Sequence, residues 1–310
     1  RPRSRRADEE APMTGPRFGG VLTAMVTPFA PDGGLDVDAA VALARWLVDQ
    51  GNDGLVVAGT TGEASTLTDD EKVELWTALA AAVTVPVIAG TGSGDTRHTA
   101  ELTARAAAAG VAAALVVTPY YNRPSQAGIE AHFRYVAAAT ELPVLLYDVP
   151  ARTGRRIDPD TIVRLAHEVP TVVGLKDAAG DVTGSIRLAA ELPDDFDHYS
   201  GDDSMTLPLL SAAGAKGVIG VATHWSAREH RELLDAVEKG DLAQARAVNA
   251  RLLPSFAFEN TDTSPYSVSA KAAMRVLGHA VGECRLPLPP TPPGVEDAAR
   301  AVLRDLGRDL

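Results

Sequence analysis

The feature that most restricts the fold of this chain is a unit repeated eight times. Each unit is a short apolar run followed by a longer segment whose apolar residues recur at helical spacing. The runs are VLTAMVT (21–27), GLVVAG (54–59), PVIAG (86–90), ALVVT (114–118), VLLYDV (144–149), VVGLK (172–176), DHYSG (197–201) and GVIGV (217–221). Most are apolar without alternation, the mark of strands buried on both faces of a parallel sheet, and DHYSG is the weakest of them. Eight strands, each followed by a helix, predict a closed α/β barrel of the (β/α)8 TIM type rather than an open doubly wound sheet.

The intervening segments carry their own end signals. Asp36 precedes a helix with Val37, Val41, Ala44 and Val48 on one face, and Gly51 closes it. Thr68 with Glu71, and Ser226 with Glu229, have the spacing of a capping box. Asp158 before Pro159 suits an N-cap and first helical position, and Gly110 and Gly240 stand where helices should stop. After Gly240 the strand pattern ends. Helices are expected over about 242–259, 267–278 and 295–307, the last two joined through LPLPPTPPG (286–294). The chain therefore divides into a tail expected to be disordered (1–17), a barrel (18–240) and a C-terminal helical appendage (241–310).

Composition narrows the function classes. A net charge of −12 over 310 residues, with no basic cluster in the body of the chain, argues against nucleic acid and against anionic membrane surfaces. No apolar run approaches the roughly 18 residues of a membrane helix. RPRSRR at the start has no apolar stretch behind it and makes a poor secretory signal. The single cysteine, Cys284, excludes internal disulfides and a thiolate zinc cage, and a reducing cytoplasm is the expected setting. The seven histidines show neither HxH nor HExxH spacing, so no metal site is expected, and most should be surface or helix residues.

Barrel enzymes build their sites at the carboxyl ends of the strands. Here those ends read GTTGEAS (59–65), GTGSGDT (90–96), TPYYNRPS (118–125), YDVPARTG (147–154), Lys176, SGDD (200–203) and Ile219-Gly220. A lysine in that position has two readings. It can mark where a strand leaves the core, its ammonium in solvent or on Asp177. It can also be a desolvated amine that attacks a carbonyl, because burial disfavours the ammonium and a Schiff base is an electron sink. Such a site needs a proton shuttle, for which Thr60, Tyr121 and Tyr147 offer hydroxyls. It also needs an anion-binding turn, which the backbone N–H groups of Thr60 and Thr61 can form. Each residue keeps a plainer reading. Thr60-Thr61 can be a turn that stops a strand, Tyr120 and Tyr121 mouth packing, and Arg152 a partner of Asp148. GTGSGDT lacks the Gly-Lys-Ser/Thr of a phosphate loop.

Together GTTGE, TPYYNRP, YDVPARTG, GLKDAAGD and SGDD, in this order and each at a strand end, resemble the dihydrodipicolinate synthase family of pyruvate-dependent class I aldolases. The likeness runs from about Phe18 to Leu310. It implies that Lys176 forms an imine with pyruvate and that Tyr147 moves protons, relayed through Thr60 and through Tyr121 from a neighbouring subunit. Thr61 with Thr60 would hold the pyruvate carboxylate, Gly201 and Ile219 would line the site, and Arg152 would hold the carboxylate of L-aspartate 4-semialdehyde. The product would be 4-hydroxy-tetrahydrodipicolinate, on the route to lysine and diaminopimelate. No cofactor and no metal are implied, and the family's usual assembly is a homotetramer, a dimer of dimers.

Arg152 favours this substrate over sugar acids, because a guanidinium matches a carboxylate better than a run of hydroxyls. The alternatives are another pyruvate aldolase or lyase, acting on N-acetylneuraminate or a 2-keto-3-deoxy sugar acid, and a non-catalytic barrel that binds a keto acid. The likeness departs from lysine-inhibited relatives where their inhibitor-binding histidines correspond to Asp69 and Lys72, and their Asn and Glu to Gly94 and His98. Free lysine is therefore expected to inhibit weakly or not at all. Asp148, where many relatives carry Asn, and the HWS run at 224–226 are further departures.

Overall fold

The computed structural model describes residues 15–310, and positions 1–14, most of the tail expected to be disordered, lie outside the described residues. Eight strands hydrogen-bond in chain order into a closed parallel barrel: β1 (Val21–Ala24), β2 (Gly54–Val57), β3 (Val87–Gly90), β4 (Ala113–Val117), β5 (Val144–Asp148), β6 (Val172–Asp177), β7 (Asp197–Ser200) and β8 (Gly217–Gly220). The helices that follow β1 to β4 are α1 (Val37–Asp49), α2 (Asp69–Ala82), α3 (Thr96–Ala108) and α4 (Gln126–Ala138). A one-turn helix, α5 (Pro150–Thr153), precedes α6 (Pro159–Glu168), α7 (Val182–Ala189), α8 (Thr206–Ala212) and α9 (Thr223–Glu238). The C-terminal region is α10 (Leu242–Glu259), α11 (Tyr266–Val276) and α12 (Val295–Asp305).

Several end signals act as their chemistry dictates. Asp36 accepts a hydrogen bond from Ala39 N at 2.9 Å, and Thr68 with Glu71 forms a complete capping box. Pro159 begins α6, but the Asp158 side chain caps nothing. The second capping-box pattern does not form. Ser226 lies inside α9 with non-helical backbone, donating to Ala222 O at 2.6 Å, while Glu229 pairs with Arg308. Burial and a partner from the far C-terminus override the local pattern there.

Two apolar layers hold the barrel. The inner one stacks Leu22, Val56, Ile88, Leu115, Leu145 and Ile219, with Phe18 joining the same cluster. The outer one lies between strands and helices, and on one side Phe258, Ala270, Met274 and Ala299 of the C-terminal helices join residues of α1 and α2 in a single cluster. The appendage and barrel therefore share a core. Among the described residues no helix is long and apolar enough to cross a membrane.

Five of the seven histidines lie on helices, as expected, yet His132, His198, His224 and His230 are buried. His224 explains part of the unusual HWS run. Its Nδ1 donates to Val221 O at 2.7 Å and its Nε2 accepts from Val26 N at 3.1 Å, a latch between the ends of β8 and β1. Burial lowers its pKa to about 4, so the ring is neutral, as that pattern of one donor and one acceptor requires. Trp225 Nε1 donates to Ser255 Oγ at 3.0 Å, tying the same run to α10.

Candidate active site

Lys176 faces the barrel interior because of one irregularity in β6. Val172 packs outward, and strict alternation would send residue 176 outward as well. The register between β5 and β6 instead shifts, with Val144 opposite Val172 but Leu145 opposite Gly174, leaving Val173 as an extra residue. The bulge reverses the parity, so Leu175 packs outward and Lys176 stands beside Tyr147 on the inner face. Asp177 is directed away. Its carboxylate accepts from Ser185 Oγ and Ala179 N and lies 3.1 Å from His198 Nε2, so the reading of Lys176 as a partner of Asp177 is not what forms.

Lys176 is only 5% exposed, with its Nζ 4.6 Å from the centroid of the Tyr147 ring. Gly201 is what permits this placement: a Cβ there would sit 2.8 Å from Lys176 Cγ. Thr60, Thr61, Tyr147, Arg152, Lys176 and Gly201 all line one cavity of about 290 Å³ at the carboxyl ends of the strands. Among the described residues the backbone N–H groups of Thr60 and Thr61 have no protein acceptor, which leaves that turn open to an anion. Ile219 is fully buried in the inner layer with Tyr147, outside the cavity lining. Tyr121 is 95% exposed and does not line this cavity.

Arg152 is held by stacking rather than by an ion pair. It sits on α5 with its guanidinium carbon 5.1 Å from the centroid of Tyr266, a residue of α11. Asp148, its expected partner, is buried instead and accepts from Ile157 N at 3.1 Å. Burial pushes Asp148 up to about 7, against the Ile157 N–H and the Arg156 charge. Backbone strain gathers at the same rim. Among the described residues the non-glycine ones with left-handed backbone, Ala58, Glu63, Tyr121 and Arg123, all lie in the loops after β2 and β4. Each such conformation costs about 1–3 kcal/mol and persists only where its surroundings impose it.

Two parts of the cavity wall lay outside the strand-end motifs. Glu259 and Tyr266 come from the C-terminal helices. Burial, with the Asp203 charge beside it, pushes the Glu259 carboxyl well above the usual carboxylate range. Asp203 in turn accepts from Val221 N at 2.7 Å and faces His230 at 3.3 Å. A second cavity of about 570 Å³ shares Thr60, Tyr147 and Arg152 with the first and runs out to Asp69, Lys72 and His98. There Asp69 lies 2.7 Å from His98 Nε2 and 3.7 Å from Lys72 Nζ. Among the described residues no three His, Cys, Asp or Glu side chains are grouped to hold a metal ion.

Known proteins resemble this chain over nearly its whole length. The profile of the "Dihydrodipicolinate synthetase family" matches residues 17–305. A protein of Acidothermus cellulolyticus, "4-hydroxy-tetrahydrodipicolinate synthase", is 53% identical over 274 residues, 87% of each chain. The solved dihydrodipicolinate synthase of Cyanidioschyzon merolae with lysine bound superposes with a TM-score of 0.90 at 40% identity, covering 94% of this chain and 98% of that one. The chloride-inhibited enzyme of Acinetobacter baumannii, complexed with pyruvate, gives 0.88 at 37%, over 94% of this chain and 100% of that one.

Proposed function

Because this chain belongs to the dihydrodipicolinate synthetase family, we propose a role in one reaction for each residue of the Lys176 cavity. The reaction is the Schiff-base condensation of pyruvate with L-aspartate 4-semialdehyde to 4-hydroxy-tetrahydrodipicolinate, a step of lysine and diaminopimelate synthesis. Lys176 Nζ attacks the ketone carbon of pyruvate and water leaves, giving the imine. Loss of a methyl proton gives the enamine, whose carbon attacks the aldehyde, and that oxygen takes up a proton. The substrate's own amine then adds to the imine carbon and expels Lys176 as the ring closes.

The observation that carries this assignment is the placement of Lys176 beside the Tyr147 ring, in one cavity with Arg152 and the open N–H groups of Thr60 and Thr61. Tyr147 moves the protons, with Thr60 as its relay. Thr61 and Thr60 hold the pyruvate carboxylate, Gly201 gives the lysine stem its room, and Ile219 forms the floor beneath it. Arg152, exposed and stacked on Tyr266, receives the carboxylate of the semialdehyde. Tyr121 is too exposed to serve its own cavity, so its relay role belongs to the partner subunit's Tyr121 and calls for a homotetramer, or at least a dimer. Residues 18–240 supply the catalytic barrel, and 241–310 act as its buttress. A cytoplasmic setting fits the single thiol, Cys284.

The test is to offer the enzyme, with pyruvate, either aspartate 4-semialdehyde or a sugar aldehyde such as N-acetylmannosamine. Turnover of the first is expected. Arg152→Ala should lower kcat/KM for it by about a hundredfold while pyruvate still forms the imine. Preference for the sugar aldehyde, or an equal loss of imine formation in the variant, would contradict the assignment.

A further inference from the structure

The carboxylate-binding turn is gripped from beneath by a second buried lysine. Glu63, the last residue of GTTGE, has left-handed backbone at φ +58, and its side chain leaves the cavity for the interior. There Oε1 meets Lys271 Nζ at 2.7 Å, and Oε2 accepts from Arg285 N at 2.8 Å. Lys271, on α11, is fully buried. It donates to Glu283 O at 2.9 Å and lies 4.1 Å from the centroid of Phe29. The turn is wound about this anchor: Glu63 N donates to Thr60 O at 3.1 Å, Ala64 N to Gly59 O at 3.1 Å, and Thr66 N to Glu63 O at 2.9 Å. Arg285 adds a bond from its guanidinium to Thr66 O at 2.9 Å.

A buried ion pair is a poor device for stability, since well-packed apolar residues serve as well or better. What it supplies is direction. One carboxylate fixed by an ammonium and a backbone N–H has one orientation, and the residues joined to it inherit that orientation. Resting on the reading of Thr60 and Thr61 as the pyruvate carboxylate site, we infer that Glu63 and Lys271 are a positioning pair that sets the affinity for the keto acid. Lys271, itself outside the cavity wall, thereby reaches the substrate through Glu63 and the turn without touching it. Burial lowers the Lys271 pKa, and the Glu63 carboxylate acts against that loss of charge.

Removing one partner strands the other charge, so the informative variant is the double one, Glu63→Gln with Lys271→Met. We expect it to fold, with its pyruvate KM raised about tenfold, its kcat within about threefold of the unaltered enzyme, and its semialdehyde KM unmoved. The pyruvate concentration that half-saturates borohydride trapping should rise in step with KM. Lys271→Arg, which keeps the charge, should fall between the two enzymes. A folded double variant with unchanged pyruvate KM, or one that loses kcat alone, would overturn the inference. So would failure of both variants to fold, which would make the pair a requirement of the fold. Trapping of the unaltered enzyme at Lys176 is read separately; if that is absent the imine assignment itself fails, and this inference falls with it.

Discussion

Two buried lysines, Lys176 on β6 and Lys271 on α11, are held in opposite ways. Lys176 borders a cavity, with a phenol ring as its near neighbour and the adjacent carboxylate directed away by a bulge. Lys271 has a carboxylate at 2.7 Å, a carbonyl at 2.9 Å and an aromatic face. Burying an ammonium is costly unless it is paired. The paired lysine therefore orients its neighbours rather than reacting. The other faces a substrate-sized space beside a phenol, where an amine can do chemistry. Depth alone does not make a reactive lysine; the difference lies in what surrounds the nitrogen.

The same substitution at both positions should separate these roles. Lys176→Met should lower turnover by at least about a thousandfold while leaving stability unchanged or slightly raised, because no ion pair is lost. Lys271→Met should cost about 3–5 kcal/mol in urea unfolding, since it leaves the Glu63 carboxylate buried without its ammonium. The opposite pattern, a stability loss at 176 and none at 271, would break the comparison.

Asp148, next to Tyr147 but on the outer face, sharpens it further. Its folded pKa of about 7 lies well above the value of about 3.9 for an unfolded aspartate. Between those values the folded chain holds a proton that the unfolded chain has released, so the residue becomes more destabilising as pH rises through that window. Asp148→Asn should accordingly gain on the unaltered protein from pH 4 to 7, reaching about 4 kcal/mol at pH 8. Denaturation at pH 5 and pH 8 reads this directly, and a gap independent of pH would contradict it.

The smallest expected effect concerns free lysine. In the larger cavity Asp69 is already engaged by His98 and Lys72, and the Lys72 ammonium opposes a second cation. Initial rates should be essentially unchanged by added lysine. Strong inhibition at modest concentrations would show that this cavity accepts it.

Much of this architecture was legible because strands buried on both faces leave unbroken apolar runs, and even DHYSG forms a strand. The cavity was legible where it is built from strand ends: Thr60, Thr61, Tyr147, Arg152, Lys176 and Gly201 share it. What stayed hidden depends on pairing across the chain. No local pattern reveals that Val173 is an extra residue, yet that residue turns Lys176 inward. Glu259, Tyr266 and Lys271 lie on helices whose sequences are ordinary, and their importance appears only once those helices dock on the barrel. The burial of His224 and His230 escaped for the same reason, since Val26 N and the Asp203 carboxylate that meet their Nε2 atoms come from packing rather than from spacing.

The most direct measurement is reduction with borohydride in the presence of pyruvate, followed by peptide mapping. One pyruvate-derived adduct should appear on the peptide that contains Lys176, and none on the one that contains Lys271. Absence of an adduct, or its appearance on any other lysine, would contradict the chemistry assigned to this cavity.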